Sequence, residues 1–252
     1  MAKQRRLLDH LALLYPEISR ERLFARILCG DALVEGERLR DPKTLVSAES
    51  EVLLDAKRFV SRGGYKLQAA LDEWKVPVAH RVWVDAGSST GGFTDALLQA
   101  GAKLVHAVDV GTNQLDWSLR QNPQVRVLES TNIMEVNSLE PRPWGATADL
   151  SFRSLKGAAA HILSLTEGNL LVALIKPQFE WESPPPEFVG IVPPEEVERI
   201  VSDLMNRLAA EGISVRHVIP SPVRGRKGNQ ELLAWLERKS VKAGTAEGDS
   251  DG

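Results

Sequence analysis

The segment LLVALIKPQFE, residues 170–180, constrains the fold more than any other stretch of the chain. Its first six residues are apolar without interruption, which is the pattern of a strand buried on both faces inside a parallel sheet covered by helices. The run then ends on Lys176-Pro177. A charged side chain is almost never buried without a partner, so the end of this strand must offer one to the Lys176 ammonium.

From about residue 59 to 239, strand-like runs alternate with helical patterns. The runs are RVWVDAG, KLVHAVDVG, VRVLES, ATADLSF, LLVALIKP, ISVRHVIP and ELLAWLE. Between them lie GGYKLQAALDEW, GGFTDALLQAG and PEEVERIVSDLMNRLAAEG. Such alternation predicts an α/β fold, a mostly parallel sheet with helices on both faces. SPVRGRKGNQ, between the last two runs, is too short and glycine-rich for a crossover helix, so the last strand is expected to be antiparallel. Residues 1–58 are expected to form a separate small α+β domain. Leu7, Leu8, Leu11 and Leu14 share one helical face, and Pro16 stops that helix. Ser19 is placed to cap a second helix, with Leu23, Phe24, Ile27 and Leu28 inward and Gly30 as its stop. Short strands follow, with turns at Glu35-Gly36 and near Asp41-Pro42. The small polar residues 240–252 are expected to be a disordered tail.

Charge and cysteine content narrow the function classes. Net charge is −3 over 252 residues, so any nucleic acid must be held by a local basic patch. Residues 1–58 carry 11 Lys and Arg against 10 Asp and Glu, yet Arg20, Arg22 and Arg26 crowd one helix and Arg38 and Arg40 recur beyond it. The pattern alone leaves a solvated face and a nucleic-acid surface both open. Cys29 is the single cysteine, which excludes a disulfide framework and a cysteine-built zinc site; no metal is expected. No apolar run reaches membrane-spanning length and the first residues show no targeting pattern, so a cytoplasmic protein without a membrane partner is expected.

The chemistry concentrates at strand ends. VWVDAGSSTGGFTDALL, residues 82–98, reads as strand, glycine-rich turn and helix start, which sets backbone N–H groups and a helix N-terminus against a ligand. The turn is D-x-G-x-x-x-G-G, not G-x-G-x-x-G. Its Asp85 would repel a pyrophosphate and attract a ligand bearing an amine and a sulfonium. About 24 residues further on, Asp109 ends the next strand, where an acid can bind both hydroxyls of a ribose. Together these favour S-adenosylmethionine over NAD. Asp149 and Lys176 end the fourth and fifth strands, and Glu231 begins the seventh, which if antiparallel starts on the same rim. One reading of the three is an ion pair sealing the sheet; the other is a catalytic cluster. Lys66, in SRGGYKLQAAL, reads by spacing alone as a surface lysine.

Six blocks, FVSRGGYKLQAALDEW, VDAGSSTGGFTDALLQAGA, HAVDVGTNQL, ADLSFRSL, IKPQFE and GNQELLAWL, occur in the order of one family. Over about residues 3–238 the chain resembles the TlyA (haemolysin A) family of ribosomal RNA 2′-O-methyltransferases. The resemblance implies a Rossmann-like class I methyltransferase sheet of the FtsJ type behind an N-terminal RNA-binding domain of ribosomal-protein type. It implies S-adenosyl-L-methionine as cofactor, ribosomal RNA as partner, and a cytidine ribose 2′-hydroxyl as acceptor. The family's Lys-Asp-Lys-Glu tetrad falls by motif on Lys66, Asp149, Lys176 and Glu231. The implied cofactor set is Asp85, Gly87, Ser88, Ser89, Thr90, Gly91, Gly92, Phe93, Asp109, Val110, Asn132 and Asp149. The implied RNA contacts are Arg5, Arg6, Arg20, Arg22, Arg26, Arg38 and Arg62. Lys176 has two roles open to it, neutral base or cation facing a developing alkoxide. A fold-retaining, non-catalytic RNA-binding factor is the alternative, and the four filled tetrad positions argue against it. A pore-forming role, suggested by the haemolysin name, has no membrane-length or markedly amphipathic basic helix behind it. Two departures stand out. Asn113 occupies a position where the family often has glycine, and residues 180–196 bring prolines and acids where it carries a glycine- and basic-rich loop.

Overall fold

All seven strand-like runs enter one sheet. The computed structural model describes residues 4–54, 59–151 and 153–239, apart from the side chains of Arg22, Ala25 and Cys29. The expected linker at Lys57 and Arg58 and the tail at 240–252 lie outside the described residues. The N-terminal part comprises β1 (Gln4–Arg6), α1 (Leu7–Leu14), α2 (Arg20–Cys29), β2 (Ala32–Val34), β3 (Glu37–Leu39), β4 (Leu45–Ser47) and β5 (Val52–Leu54). Strands β3, β2 and β5 form one antiparallel sheet, while β1 pairs with β4. The β2–β3 turn has positive φ at both Glu35 and Gly36, the type I′ pattern whose twist suits a tight hairpin. Leu7, Leu11, Leu23 and Ile27 are fully buried between the two helices and the strands. Leu14 and Phe24, expected inward, are instead exposed. The sheet elements here are three residues long, too short to cover more than one stripe of either helix.

The larger part begins with α3 (Arg62–Trp74) and β6 (Val82–Ala86), then α4 (Gly92–Gln99), β7 (Leu104–Val108), α5 (Trp117–Arg120) and β8 (Val125–Leu128). It continues through β9 (Gly145–Ala148), α6 (Ala158–Ser164), β10 (Leu171–Ile175), α7 (Pro177–Glu180) and α8 (Pro194–Ala210) to β11 (Ile213–Pro220) and β12 (Leu232–Arg238). The sheet order is β11-β12-β10-β9-β6-β7-β8. Strands β10, β9, β6, β7 and β8 are parallel, and β12 runs against both β10 and β11. This is the doubly wound architecture the alternation predicted.

The unbroken apolar run is explained by its two neighbours above and below. Leu171, Ala173 and Ile175 pack with Ile162, Leu163, Leu204 and Leu208 of α6 and α8, while Val172 and Leu174 pack with Leu67, Ala70 and Leu97 of α3 and α4. All five strand residues are buried. Truncating one of the leucines to alanine would cost about 2–5 kcal/mol, the transfer loss plus the cavity.

Candidate active site

Lys176 is the first residue beyond β10, and its partner is supplied by the adjacent strand. Asp149 follows β9, the parallel neighbour of β10, and the Lys176 Nζ lies 2.6 Å from Asp149 Oδ1. That oxygen is buried and accepts no hydrogen bond among the described residues, so the nearby ammonium is its compensation. Lys176 Nζ also donates to Ser151 Oγ at 3.0 Å. On the other side of β10, Leu232 of β12 pairs with Ile175, which brings Glu231 to the same rim as Lys176. Glu231 faces Lys66, with Nζ and Oε2 2.5 Å apart. Lys66 sits on the second turn of α3 and is buried, contrary to the surface placement its spacing suggests. The reason is that α3 packs on one face of the sheet with Leu67, Ala70 and Leu71 in the core, and its start abuts the glycine turn. The two lysine–carboxylate pairs therefore share the carboxyl-end rim, where open α/β sheets bind ligands.

The glycine turn is next along that rim. A Cβ at Gly87 would lie 2.7 Å from the Asp149 carbonyl oxygen, and one at Gly92 2.8 Å from the Gly64 amide nitrogen. Only glycine lets the turn approach β9 and α3 this closely. Four amides expected to face a ligand are taken up internally. Gly87 N and Ser88 N both donate to Val108 O, Ser89 N to Asp109 Oδ2, and Gly91 N to Ser88 O. The turn is pinned to β7, and this corrects the expectation that it presents those N–H groups. What remains is side-chain chemistry. Ser88 Oγ is buried without a hydrogen-bond partner, and Asp109, holding Ser89 N and Gly111 N, keeps further lone pairs. Val110 beside it is 71% exposed, an apolar shelf next to the acid. Thr90 is exposed at the turn, whereas Phe93 is buried in the core under α3 and α4.

Asp85 differs from its expected role. It is fully buried and accepts from Thr94 Oγ1 at 2.7 Å and Thr147 Oγ1 at 3.0 Å. Burial pushes its carboxyl up to about 7 against those two hydrogen bonds, and the Asp149 charge adds to the rise. It is a neutral-leaning anchor beneath the turn, not a carboxylate open to a ligand amine. Asn132 is likewise drawn inward, its side chain accepting from Met134 N and donating to Glu135.

Beyond this rim, the chain matches a defined family over most of its length. The family model described as FtsJ-like methyltransferase covers residues 59–238. The chain belongs to the FtsJ-like methyltransferase family. It is 37% identical over 243 residues to the 16S/23S rRNA (cytidine-2′-O)-methyltransferase TlyA of Mycobacterium tuberculosis, covering 92% of this chain and 90% of that protein. It is 34% identical to Hemolysin A of Brachyspira hyodysenteriae, over 82% of this chain and 89% of that one. A solved Streptococcus thermophilus protein, described provisionally as a haemolysin, superimposes with a TM-score of 0.69 at 35% identity, covering 95% of this chain and 90% of that chain.

Within this FtsJ-like frame, the arginines expected on RNA divide. Arg20 is exposed but paired with Asp9. Arg26 is mostly buried, 3.2 Å from Asp31, so it braces the fold and is not a free surface cation, contrary to expectation. Arg22 lies outside the described side chains. Arg6 and Arg38 are exposed, Arg5 and Arg62 half-exposed, and Arg38 donates to Gly30 O at 2.8 Å. Glu180, the first acid of the departing segment 180–196, is buried and holds Ser154 Oγ and Leu155 N, with burial raising its carboxyl. It ties the segment after Asp149 to the segment after Lys176. Glu182 is paired with Arg207 at 2.9 Å and Lys156 at 3.7 Å.

Several residues escaped the sequence reading. Glu129, just after β8, accepts from Asn113 N, Gln114 N and Leu115 N, and the Arg120 guanidinium beside it holds its carboxyl down to about 2. It shapes the loop that follows Asp109. Asn113 in that loop has φ +56, the left-handed region that glycine favours and asparagine tolerates, so the exchange of residue types preserves the turn. An acid directly after a strand was the available signal for Glu129. Nothing in the sequence marked the threonine pair around Asp85. Among the described residues no cluster of three or more His, Cys, Asp or Glu is placed to hold a metal, and no helix is long and apolar enough to cross a membrane.

Proposed function

We propose that the protein methylates a ribose 2′-hydroxyl of ribosomal RNA, a cytidine by analogy with the named relatives, using S-adenosyl-L-methionine. The observation that carries this reading is the pairing of Lys176 with Asp149 at 2.6 Å beside the anchored glycine turn. The residues fit the cofactor: Ser88 Oγ is an orphaned buried hydroxyl, Asp109 retains lone pairs for ribose hydroxyls, and Val110 offers an apolar face for a nucleobase. When bound, the cofactor supplies a methyl group on a sulfonium.

Lys176 is the residue that meets the acceptor. Asp149 and Ser151 hold its amine from two sides and so aim the remaining N–H at the rim. As a cation Lys176 stabilises negative charge growing on the ribose oxygen while water at the rim takes the hydroxyl proton; as a neutral amine it takes that proton itself. Lys66 and Glu231 form the second wall and orient the sugar. Holding the hydroxyl in line with the methyl contributes several kcal/mol through proximity alone. Residues 1–58 serve as the RNA-binding domain and 59–239 as the methyltransferase domain, acting in the cytoplasm where ribosomes assemble. A-form RNA hides its base edges in a deep major groove, so the small domain reads shape and phosphate.

The test is incubation of the full chain with methyl-labelled cofactor and ribosomal subunits, followed by mapping of ribose methylation. Label at a 2′-oxygen is the expected result. Label confined to bases, or none in any subunit preparation, overturns the reading.

A further inference from the structure

The loop between β11 and β12 crowds three exposed cations beside the Lys66–Glu231 pair: Arg224, Arg226 and Lys227. Among the described residues none of them has an acid partner. Other arginines of the molecule do: Arg20, Arg26, Arg120, Arg199, Arg207 and Arg216 each lie against an Asp or Glu. The loop is also rigidly built. Ser221 Oγ donates to Val223 O at 2.7 Å, Gly225 N to Asn229 O at 2.9 Å and Gly228 N to Gly225 O at 2.9 Å. The buried Asn229 amide ties it to a second loop, donating to Gly190 O and accepting from Val192 N, both at 2.8 Å. A floppy solvated loop needs none of these braces.

We propose that Arg224, Arg226 and Lys227 form a phosphate-binding subsite for the RNA strand that carries the target nucleotide, an assignment that rests on the ribose-methylation reading above. Its position follows from Gly225. A Cβ there would lie 2.5 Å from Glu231 Oε1, so the loop backbone runs directly against the tetrad acid. Arg224 and Arg226 flank that point by one residue each. Arg62, the first residue of α3, reaches the Arg224 carbonyl at 3.5 Å and joins them from the other side. A ribose 2′-hydroxyl is adjacent to the 3′-phosphodiester of its own nucleotide. Seating that hydroxyl at the rim therefore draws phosphates along the rim within one nucleotide of the lysines, and phosphate contacts set register without reading sequence.

The experiment measures binding of the full chain to a ribosomal RNA fragment across a salt series, with the double variant Arg226→Ala, Lys227→Ala. Each lost phosphate contact reduces the slope of log affinity against log salt by roughly 0.7–0.9, so the pair should lose about 1.5. Affinity should fall on the order of tenfold at moderate salt. The charge-preserving double variant Arg226→Lys, Lys227→Arg should keep the wild-type slope, and cofactor affinity should match wild type in both. An unchanged slope in the double alanine variant overturns the subsite, as does an equal loss in the charge-preserving one. A wild-type chain that binds RNA steeply but transfers no methyl sinks the methylation reading alone, while the slope comparison still decides the subsite.

Discussion

The two lysine–carboxylate pairs use the same chemistry in different surroundings. In the Lys66–Glu231 pair the side chains are 9% and 4% exposed, and both partners come from elements sealed into the fold. In the Lys176–Asp149 pair they are 11% and 25% exposed, and the acid is open to water on one side. A charge pair closed off from solvent must be matched almost perfectly or it destabilises its surroundings. A pair open on one side can exchange a water for an incoming hydroxyl. On the function proposed above, this difference suits Lys66 and Glu231 to positioning and Lys176 to contact with the reacting oxygen.

The largest effect that separates them is Lys176→Ala. Methyl transfer should fall on the order of a thousandfold, the scale of losing a positioned acid–base or electrostatic group. Thermal stability should fall as well, but by less than in Lys66→Ala, because the Asp149 side chain is 25% exposed and can be partly hydrated once the amine is gone. A variant that keeps near-native activity breaks the assignment of Lys176 as the residue at the acceptor. Lys66→Ala should show the reverse emphasis. It strands Glu231 as a buried, uncompensated charge, with an expected cost of about 3–5 kcal/mol by urea denaturation. Adding Glu231→Gln should recover much of that stability without restoring methylation. If the single variant unfolds no more easily than wild type, the two pairs are not different in kind.

Much of this was legible in the sequence. An apolar run ending on Lys176 announced both the parallel sheet and the need for a partner, and the short glycine-rich connector announced the reversed last strand. The blocks that carry the family resemblance pointed to Lys66, Asp149, Lys176 and Glu231, which the structure brings to one rim as two ion pairs. What stayed hidden depends on which side of an element is covered. Lys66 reads as exposed because helix periodicity cannot report that α3 lies against β12. The same blindness placed Leu14 and Phe24 inward, where the three-residue strands of the N-terminal part are too short to cover them. The arginines of α2 looked like a free basic stripe, yet Asp9 and Asp31 come from outside that helix to pair with two of them. The fourth carboxylate on the rim, Asp85, looked like a ligand contact until two threonines from separate elements closed over it.

Asp85 extends the comparison to a carboxyl that has hydroxyls where Asp149 and Glu231 have ammonium groups. Its folded value of about 7 stands above the 3.8 of the unfolded chain, so the folded state favours the protonated form. The resulting stability is fully present below about pH 4 and is lost as pH rises through about 7. Three units at about 1.4 kcal/mol each put the upper bound near 4 kcal/mol. Asp85→Asn keeps a neutral group between Thr94 and Thr147. The variant should therefore gain on wild type as pH climbs from 4 to 8, measured as the difference in unfolding free energy. A difference that stays flat across that range means the carboxyl titrates normally, and the contrast with the lysine-paired acids disappears.

The smallest effect concerns how the sealed pair is held. Tyr65, one residue before Lys66, donates its hydroxyl to Asp31 Oδ1 at 2.6 Å, linking α3 to the N-terminal part. Its ring meets Phe59 edge-on at 5.1 Å, and Gly64 leaves room for that ring, since a Cβ there would collide with it. Tyr65→Phe removes the hydroxyl and keeps the ring contact. Asp31 retains Arg26, so the expected cost is only about 1 kcal/mol in denaturation. If α3 orients Lys66, kcat should fall a fewfold while cofactor affinity stays the same. A drop confined to stability, with kcat intact, would show that Lys66 owes its placement to Glu231 and the core packing of α3, not to the anchor on the N-terminal part.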